Sequence, residues 1–83
     1  MAFKITYKAS ITGDLHRLDR PTAKRVLDKF ERTLSANPDA GLPLTGEFKG
    51  LFKYRIGDYR VVYAKTVDGI LVLRLGHRKD VYR

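Results

Sequence analysis

The 83-residue sequence has no cysteine and no tryptophan, and only one methionine, two histidines and three prolines. Without cysteine there is no disulfide framework, no thiolate zinc site and no thiol nucleophile. Long apolar runs are missing as well, since nothing approaches the ~20 consecutive apolar residues that span a bilayer. The opening residues Met1-Ala2-Phe3-Lys4 have neither an apolar stretch nor a small-residue cleavage site, so no signal peptide is read. The expectation is a cytoplasmic protein with no membrane partner. Metal ligands are also scarce. The histidines are His16 and His77, the acidic residues of the C-terminal half are Glu47, Asp58, Asp68 and Asp80, and no two of them have a recognised ligand spacing. Neither a metal nor a cofactor is expected. His16, among polar neighbours, reads as a surface residue.

What is there is positive charge. Seventeen Lys and Arg face nine Asp and Glu, a net charge of +8 with a pI near 10.1. Residues 1–44 hold eight basic and five acidic side chains, and residues 45–83 hold nine and four, so the excess leans toward the C-terminal half. A length of 83 residues supports one domain over 1–83. With 43% hydrophobic and 31% charged residues the composition is that of a folded chain, and its charge attracts polyanions.

Hydropathy patterning predicts the elements. Phe3 to Tyr7 alternates apolar and polar as a strand does. Ser10 stands where a cap would begin a helix with Ile11, Leu15 and Leu18 on one face, and Gly13 within it predicts a short helix. The Arg20-Pro21 step separates this helix from a second, whose stripe is Ala23, Val26, Leu27, Phe30 and Leu34 and which Asn37-Pro38 stops. Residues 38–50 read as a connection with one short extended piece near Leu44. The spacing Gly41-x-x-x-x-Gly46 opens like a phosphate loop, but Glu47 stands where lysine is required. Three strands follow, Leu51 to Ile56, Tyr59 to Thr66 and Ile70 to Gly76, with Gly57-Asp58 and Asp68-Gly69 as two-residue turns. The predicted class is α+β, ordered β-α-α-β-β-β, with two helices on one face of a small antiparallel sheet.

The first hairpin carries the chemistry. With Gly57-Asp58 as its loop, Arg55 opposes Arg60, and Phe52, Tyr54, Ile56, Tyr59, Val61 and Tyr63 share the face suited to burial. Lys53, Arg55 and Arg60 then emerge together on the other face. Arginines directly opposed across a ladder repel, and an anion bound between them would relieve this. Solvated side chains on a wet face are the plain alternative. Extending the register through Asp68-Gly69 brings His77, Arg78 and Tyr82 toward the same place. It also puts Val62, Ala64, Leu71, Leu73 and Leu75 on the cationic face, unless a bulge intervenes. Guanidinium groups fork onto phosphate oxygens, and a tyrosine stacks on an unpaired base. Metal-free RNA cleavage needs a base for the 2′-hydroxyl, cations for the phosphorane and an acid for the leaving 5′-oxygen. A lysine crowded by other cations suits the first of these roles.

The block Gly50-Leu51-Phe52-Lys53-Tyr54-Arg55-Ile56-Gly57-Asp58-Tyr59-Arg60-Val61-Val62-Tyr63, followed by Gly76-His77-Arg78-Lys79-Asp80-Val81-Tyr82, resembles the RelE toxins of bacterial type II toxin–antitoxin modules, within the RelE/ParE superfamily. The likeness follows the order of elements along the whole chain. It implies a ribosome-dependent mRNA endonuclease that cuts messages in the ribosomal A site (30S subunit) without metal, inhibiting translation. It implies functional roles for Lys53, Arg55, Arg60, Arg78 and Tyr82, with His77 as a second candidate acid or base. Arg55 stands where some relatives carry lysine; because guanidinium is a poor base, Lys53 is the better proton acceptor. Arg78 would act on the leaving-group side and Tyr82 would stack on the nucleotide. Longer relatives continue past this point into a C-terminal helix, which the likeness does not extend to here. The implied partners are mRNA, the ribosome and a cognate antitoxin that covers the basic face, the free toxin being monomeric. Two other readings are a ParE-like toxin acting on DNA gyrase and a basic RNA- or ribosome-binding module without catalysis. Arg78 and Tyr82 favour the RNA-cleaving reading over the gyrase one.

Overall fold

A computed structural model describes residues 4–77, in which the elements run β1 (Lys4–Tyr7), α1 (Ile11–His16), α2 (Arg20–Ala36), β2 (Leu42–Pro43), a 3₁₀ turn (Gly46–Phe48), β3 (Leu51–Ile56), β4 (Tyr59–Thr66) and β5 (Gly69–His77). Helix α1 has only six residues, in keeping with Gly13 inside it. Ser10 occupies the cap position, but its side chain makes no capping bond. Instead the Ile11 N–H donates to the Lys8 carbonyl at 2.9 Å. Helix α2 is capped by Asp19, whose carboxylate accepts the Thr22 N–H at 3.2 Å. It starts at Arg20, ahead of the expected break at Arg20-Pro21. Pro21 sits in the first turn, where its missing N–H has no helical partner to lose. Asn37, with φ −149° and ψ 94°, ends it before Pro38. Among the described residues no helix is long and apolar enough to cross a membrane.

The sheet order is β1-β5-β4-β3-β2, with both helices on one face. The meander β3-β4-β5 and the short β2 pair antiparallel, whereas β1 pairs parallel with β5. The sheet is therefore mixed rather than wholly antiparallel. Only strands joined by tight turns are constrained to run antiparallel, and the helices and the meander lie between β1 and β5.

The β3–β4 hairpin has the expected register, with Gly57 at φ +61° and Asp58 at negative φ, as in a turn that takes glycine first. The β4–β5 loop differs. Thr66 pairs with Gly69, so the turn is Val67-Asp68 and not Asp68-Gly69. Gly69 serves another purpose: a Cβ there would lie 1.8 Å from the Lys4 carbonyl oxygen. A bulge then shifts the register between Val62 and Tyr63, leaving Leu73 as the extra residue of β5. Beyond it Leu75 opposes Val61 in the core, and Arg74 takes the row of Val62 and Lys53. The bulge is thus real, and Leu75, provisionally on the cationic face, belongs to the core at 2% exposure.

The core joins Ile11, Val26, Phe30 and Leu34 of the helices to Val61, Tyr63, Ile70, Val72 and Leu75 of the sheet. Phe30 meets Tyr63 edge-on with centroids 5.7 Å apart. The Tyr63 hydroxyl accepts the Gly41 N–H at 3.1 Å and donates to the Pro38 carbonyl at 3.4 Å. Burial pushes this phenol above its ordinary value, which keeps the donated proton in place. Lys65 pairs with Asp39 and lies over the Phe52 ring, so the loop after α2 is tied to the sheet twice. This tether sets β2 beside β3, with Leu42 opposite Lys53.

Candidate functional site

Alternation along β3 sends Lys53 and Arg55 away from the helices, and alternation along β4 does the same for Arg60. Arg55 lies directly opposite Arg60, whose other neighbour in the sheet is Gly76. The next row reads Leu42, Lys53, Val62, Arg74. Val62 is only 4% exposed although it faces away from the helices. Lys53 and Arg74 flank it, and the aliphatic stems of long cationic side chains cover apolar neighbours while the charged heads stay in water. The Arg55 Nε donates to the Gly57 carbonyl at 2.9 Å, which steadies its guanidinium beside the turn.

A cleft of about 310 Å³ opens here, lined by Ala40, Leu42, Lys53, Tyr54, Arg55 and Arg60. Three of its six lining side chains are cationic and none is acidic. Arg55 is exposed, while Lys53 and Arg60 are half-buried. An array of this kind holds an anion with spread charge, and the two guanidinium groups match phosphate oxygens in geometry as well as sign. Among the described residues no group of three or more His, Asp or Glu is placed to hold a metal.

Of the residues singled out in the sequence, the fold brings Lys53, Arg55 and Arg60 together. His77 does not join them as expected: one register step past Gly76, alternation turns it to the helix side, edge-on to Tyr59 with centroids 5.9 Å apart. It borders a smaller cavity of about 140 Å³ shared with Asp14, Arg17, Leu18, Arg74 and Leu75. Arg78 and Tyr82 lie outside the described residues. His16 is exposed, in line with a surface role. Two charged residues escaped the sequence reading. Arg74 takes its place in the row of Val62 and Lys53 only because of the bulge, and its guanidinium reaches Asp14, with Nε 3.5 Å from Oδ2. Asp14 is 5% exposed and accepts the Leu75 N–H at 3.0 Å. Its signal was present in the pattern, since position 14 falls on the same helical stripe as Ile11, Leu15 and Leu18.

Residues 5–82 match the family described as ParE toxin of type II toxin-antitoxin system, parDE. The chain is 31% identical over 86 aligned residues to Toxin RelG of Mycobacterium tuberculosis, covering 100% of this chain and 99% of that protein. It is 33% identical over 85 residues to Toxin RelE of the same organism, covering 98% and 87%. The solved toxin–antitoxin complex RelBE2 of M. tuberculosis superposes with a TM-score of 0.84 at 28% identity, over 94% of this chain and 100% of that one. The chain therefore belongs to the ParE toxin family and is a type II toxin–antitoxin toxin of the RelE/ParE superfamily.

Proposed function

We propose that this toxin is a ribosome-dependent endonuclease that cleaves mRNA in the ribosomal A site without a metal and so arrests translation. The observation that carries the proposal is the placement of Arg55 directly opposite Arg60, with Lys53 in the same cleft and no carboxylate lining it. In the step itself the 2′-hydroxyl of the message attacks the adjacent phosphorus and loses its proton to a base, for which Lys53 is the nominee. Arg55 and Arg60 offset the charge gathering on the phosphorane oxygens. The bond to the 5′-oxygen breaks as that oxygen takes up a proton, on the side assigned to Arg78. Tyr82 stacks on the nucleotide. The products are a 2′,3′-cyclic phosphate and a 5′-hydroxyl end. A cognate antitoxin with acidic side chains would silence this face by occupying it, and the match to a solved toxin–antitoxin complex supports such a partner.

The test is to add the purified toxin to programmed ribosomes, map the message ends and identify their chemistry. Cuts at the A-site codon ending in 2′,3′-cyclic phosphate are expected, with Arg60→Ala slower by about 10²–10³-fold, the usual scale for loss of one charge-stabilising donor. A fully active Arg60→Ala variant would remove the cleft from the mechanism. The family match under the ParE name favours a second reading, inhibition of DNA gyrase. Intact message together with loss of gyrase supercoiling would select it.

A further inference from the structure

Asp14 is the one buried charged side chain among the described residues. A carboxylate inside a protein is costly unless donors and opposite charge take up its oxygens, so its partners show what it is kept for. One oxygen, Oδ2, accepts the Leu75 N–H at 3.0 Å and lies 3.5 Å from Arg74 Nε. The other, Oδ1, lies 3.5 Å from Arg17 Nη1. Thus α1 holds two consecutive residues of β5, one by its backbone and one by its side chain.

The place where it does so is a stretch of β5 that has no strand partner on that side among the described residues and lies under α1. The β1 ladder runs only to Tyr7 opposite Val72, with the Lys8 N–H closing onto the Val72 carbonyl. Among the described residues no strand covers that side of β5 past Val72, and an unpaired strand edge leaves backbone donors without partners. Asp14 supplies the missing acceptor. It acts immediately after the bulge at Leu73, where the parity of β5 is decided. A strand that slipped back by one residue would exchange Leu75 and Arg74 between the two faces.

We infer that Asp14 is a positioning residue: it locks β5 in its bulged register and thereby fixes the segment Arg74–His77, from which the chain continues to Arg78. The lock follows from the geometry alone. Its consequence for cleavage rests on the RNA-cleaving reading above, in which Arg78 acts on the message. Ribosome and RNA binding by Lys53 and Arg55 does not depend on it, because these residues belong to β3, whose neighbours are β2 and β4 rather than β5.

The experiment compares the full-length wild type with Asp14→Ala and Asp14→Asn, the second keeping an oxygen that can still accept from Leu75. Amide exchange at Leu75, referenced to Val61, reports the lock. It should accelerate about 10–100-fold in Asp14→Ala, the effect of losing one hydrogen bond to a charged group, and clearly less in Asp14→Asn. Single-turnover cleavage at saturating ribosomes should fall by up to about 10²-fold in Asp14→Ala, the scale of a small misplacement of reacting groups. Ribosome affinity should hold near wild type, and Asp14→Asn should recover part of the rate. Unchanged Leu75 exchange would overturn the lock. Accelerated exchange with wild-type cleavage, or a loss of ribosome affinity equal to the loss of rate, would overturn the positioning role. If the wild type itself leaves messages intact, the RNA-cleaving reading fails, while the exchange measurement still decides the lock. Should Asp14→Ala not fold, the isosteric Asp14→Asn carries both measurements, with a smaller loss of protection and rate expected and no change in either overturning the inference.

Discussion

Gly13 and Gly69 respond in opposite ways to the same added methyl group. A Cβ at Gly13 meets nothing within 4 Å, and the residue sits inside α1. Glycine within a helix is destabilising by roughly 0.5–1 kcal/mol relative to alanine, so Gly13→Ala should raise the unfolding free energy by about that amount. A Cβ at Gly69 lies 1.8 Å from the Lys4 carbonyl oxygen, on backbone that cannot swing aside. Gly69→Ala should part β1 from β5 and cost about 1–3 kcal/mol, the range for overpacking. Urea titration of both variants gives the sign and the size; a neutral Gly69→Ala would contradict the close approach of the two strands. The pair also shows where single residues were legible. Gly13 acts through its own helix, and its effect on length could be read directly. Gly69 beside Asp68 looked like a turn glycine, because the strand that needs its bare Cα enters from the other end of the chain.

Elements built from local signals were legible, and those whose geometry depends on distant pairing were not. The stripe Val26, Phe30, Leu34 and the Asn37-Pro38 stop defined α2, and the Gly57-Asp58 turn with its flanking alternation set the β3–β4 register. The parallel entry of β1 and the Val67-Asp68 turn required the tertiary fold. Alternation along β5 predicted faces only as far as the bulge, because one extra residue exchanges the faces of everything beyond it. At α2 the start makes a pH-dependent prediction. The bond from the Thr22 N–H to the Asp19 carboxylate holds that carboxyl below its ordinary value. A folded-state pKa below the unfolded one adds stability that is fully present above the unfolded value and disappears as pH falls through the folded one. Asp19→Ala should therefore melt below wild type at neutral pH, by a constant margin down to about pH 4, the ordinary carboxylate range. Below that the margin should shrink. A margin that stayed constant to pH 2 would mean that the ionised form does not cap the helix.

Charge at the scale of the whole molecule is divided by the two layers. The outward side of α2 carries Lys24, Arg25, Lys29 and Arg32, all exposed and with Asp28 among them. Lys53, Arg55 and Arg60 project from the opposite side of a body whose shortest extent is 23 Å. Separation on this scale exceeds the ~8–10 Å Debye length of physiological salt, so the two surfaces act on polyanions independently. The sheet-side cluster was legible because one hairpin holds all three residues, whereas Arg74 depended on a bulge and Asp14 on the docking of α1. Charge excess alone does not distinguish the two sides; convergence without a lining carboxylate does. Counterion release turns that distinction into a number. Each phosphate neutralised on single-stranded RNA contributes about −0.7 to the slope of log K against log salt, so three cations contribute about −2. The triple variant Lys53→Gln, Arg55→Gln, Arg60→Gln should therefore bind a short single-stranded RNA with a slope shallower by about 2 units and with lower affinity at low salt. Fluorescence titrations between about 50 and 200 mM salt span a range over which such binding falls steeply enough to give the slope. A slope equal to that of wild type would place the RNA on another surface and leave the cleft of Lys53, Arg55 and Arg60 without its polyanion.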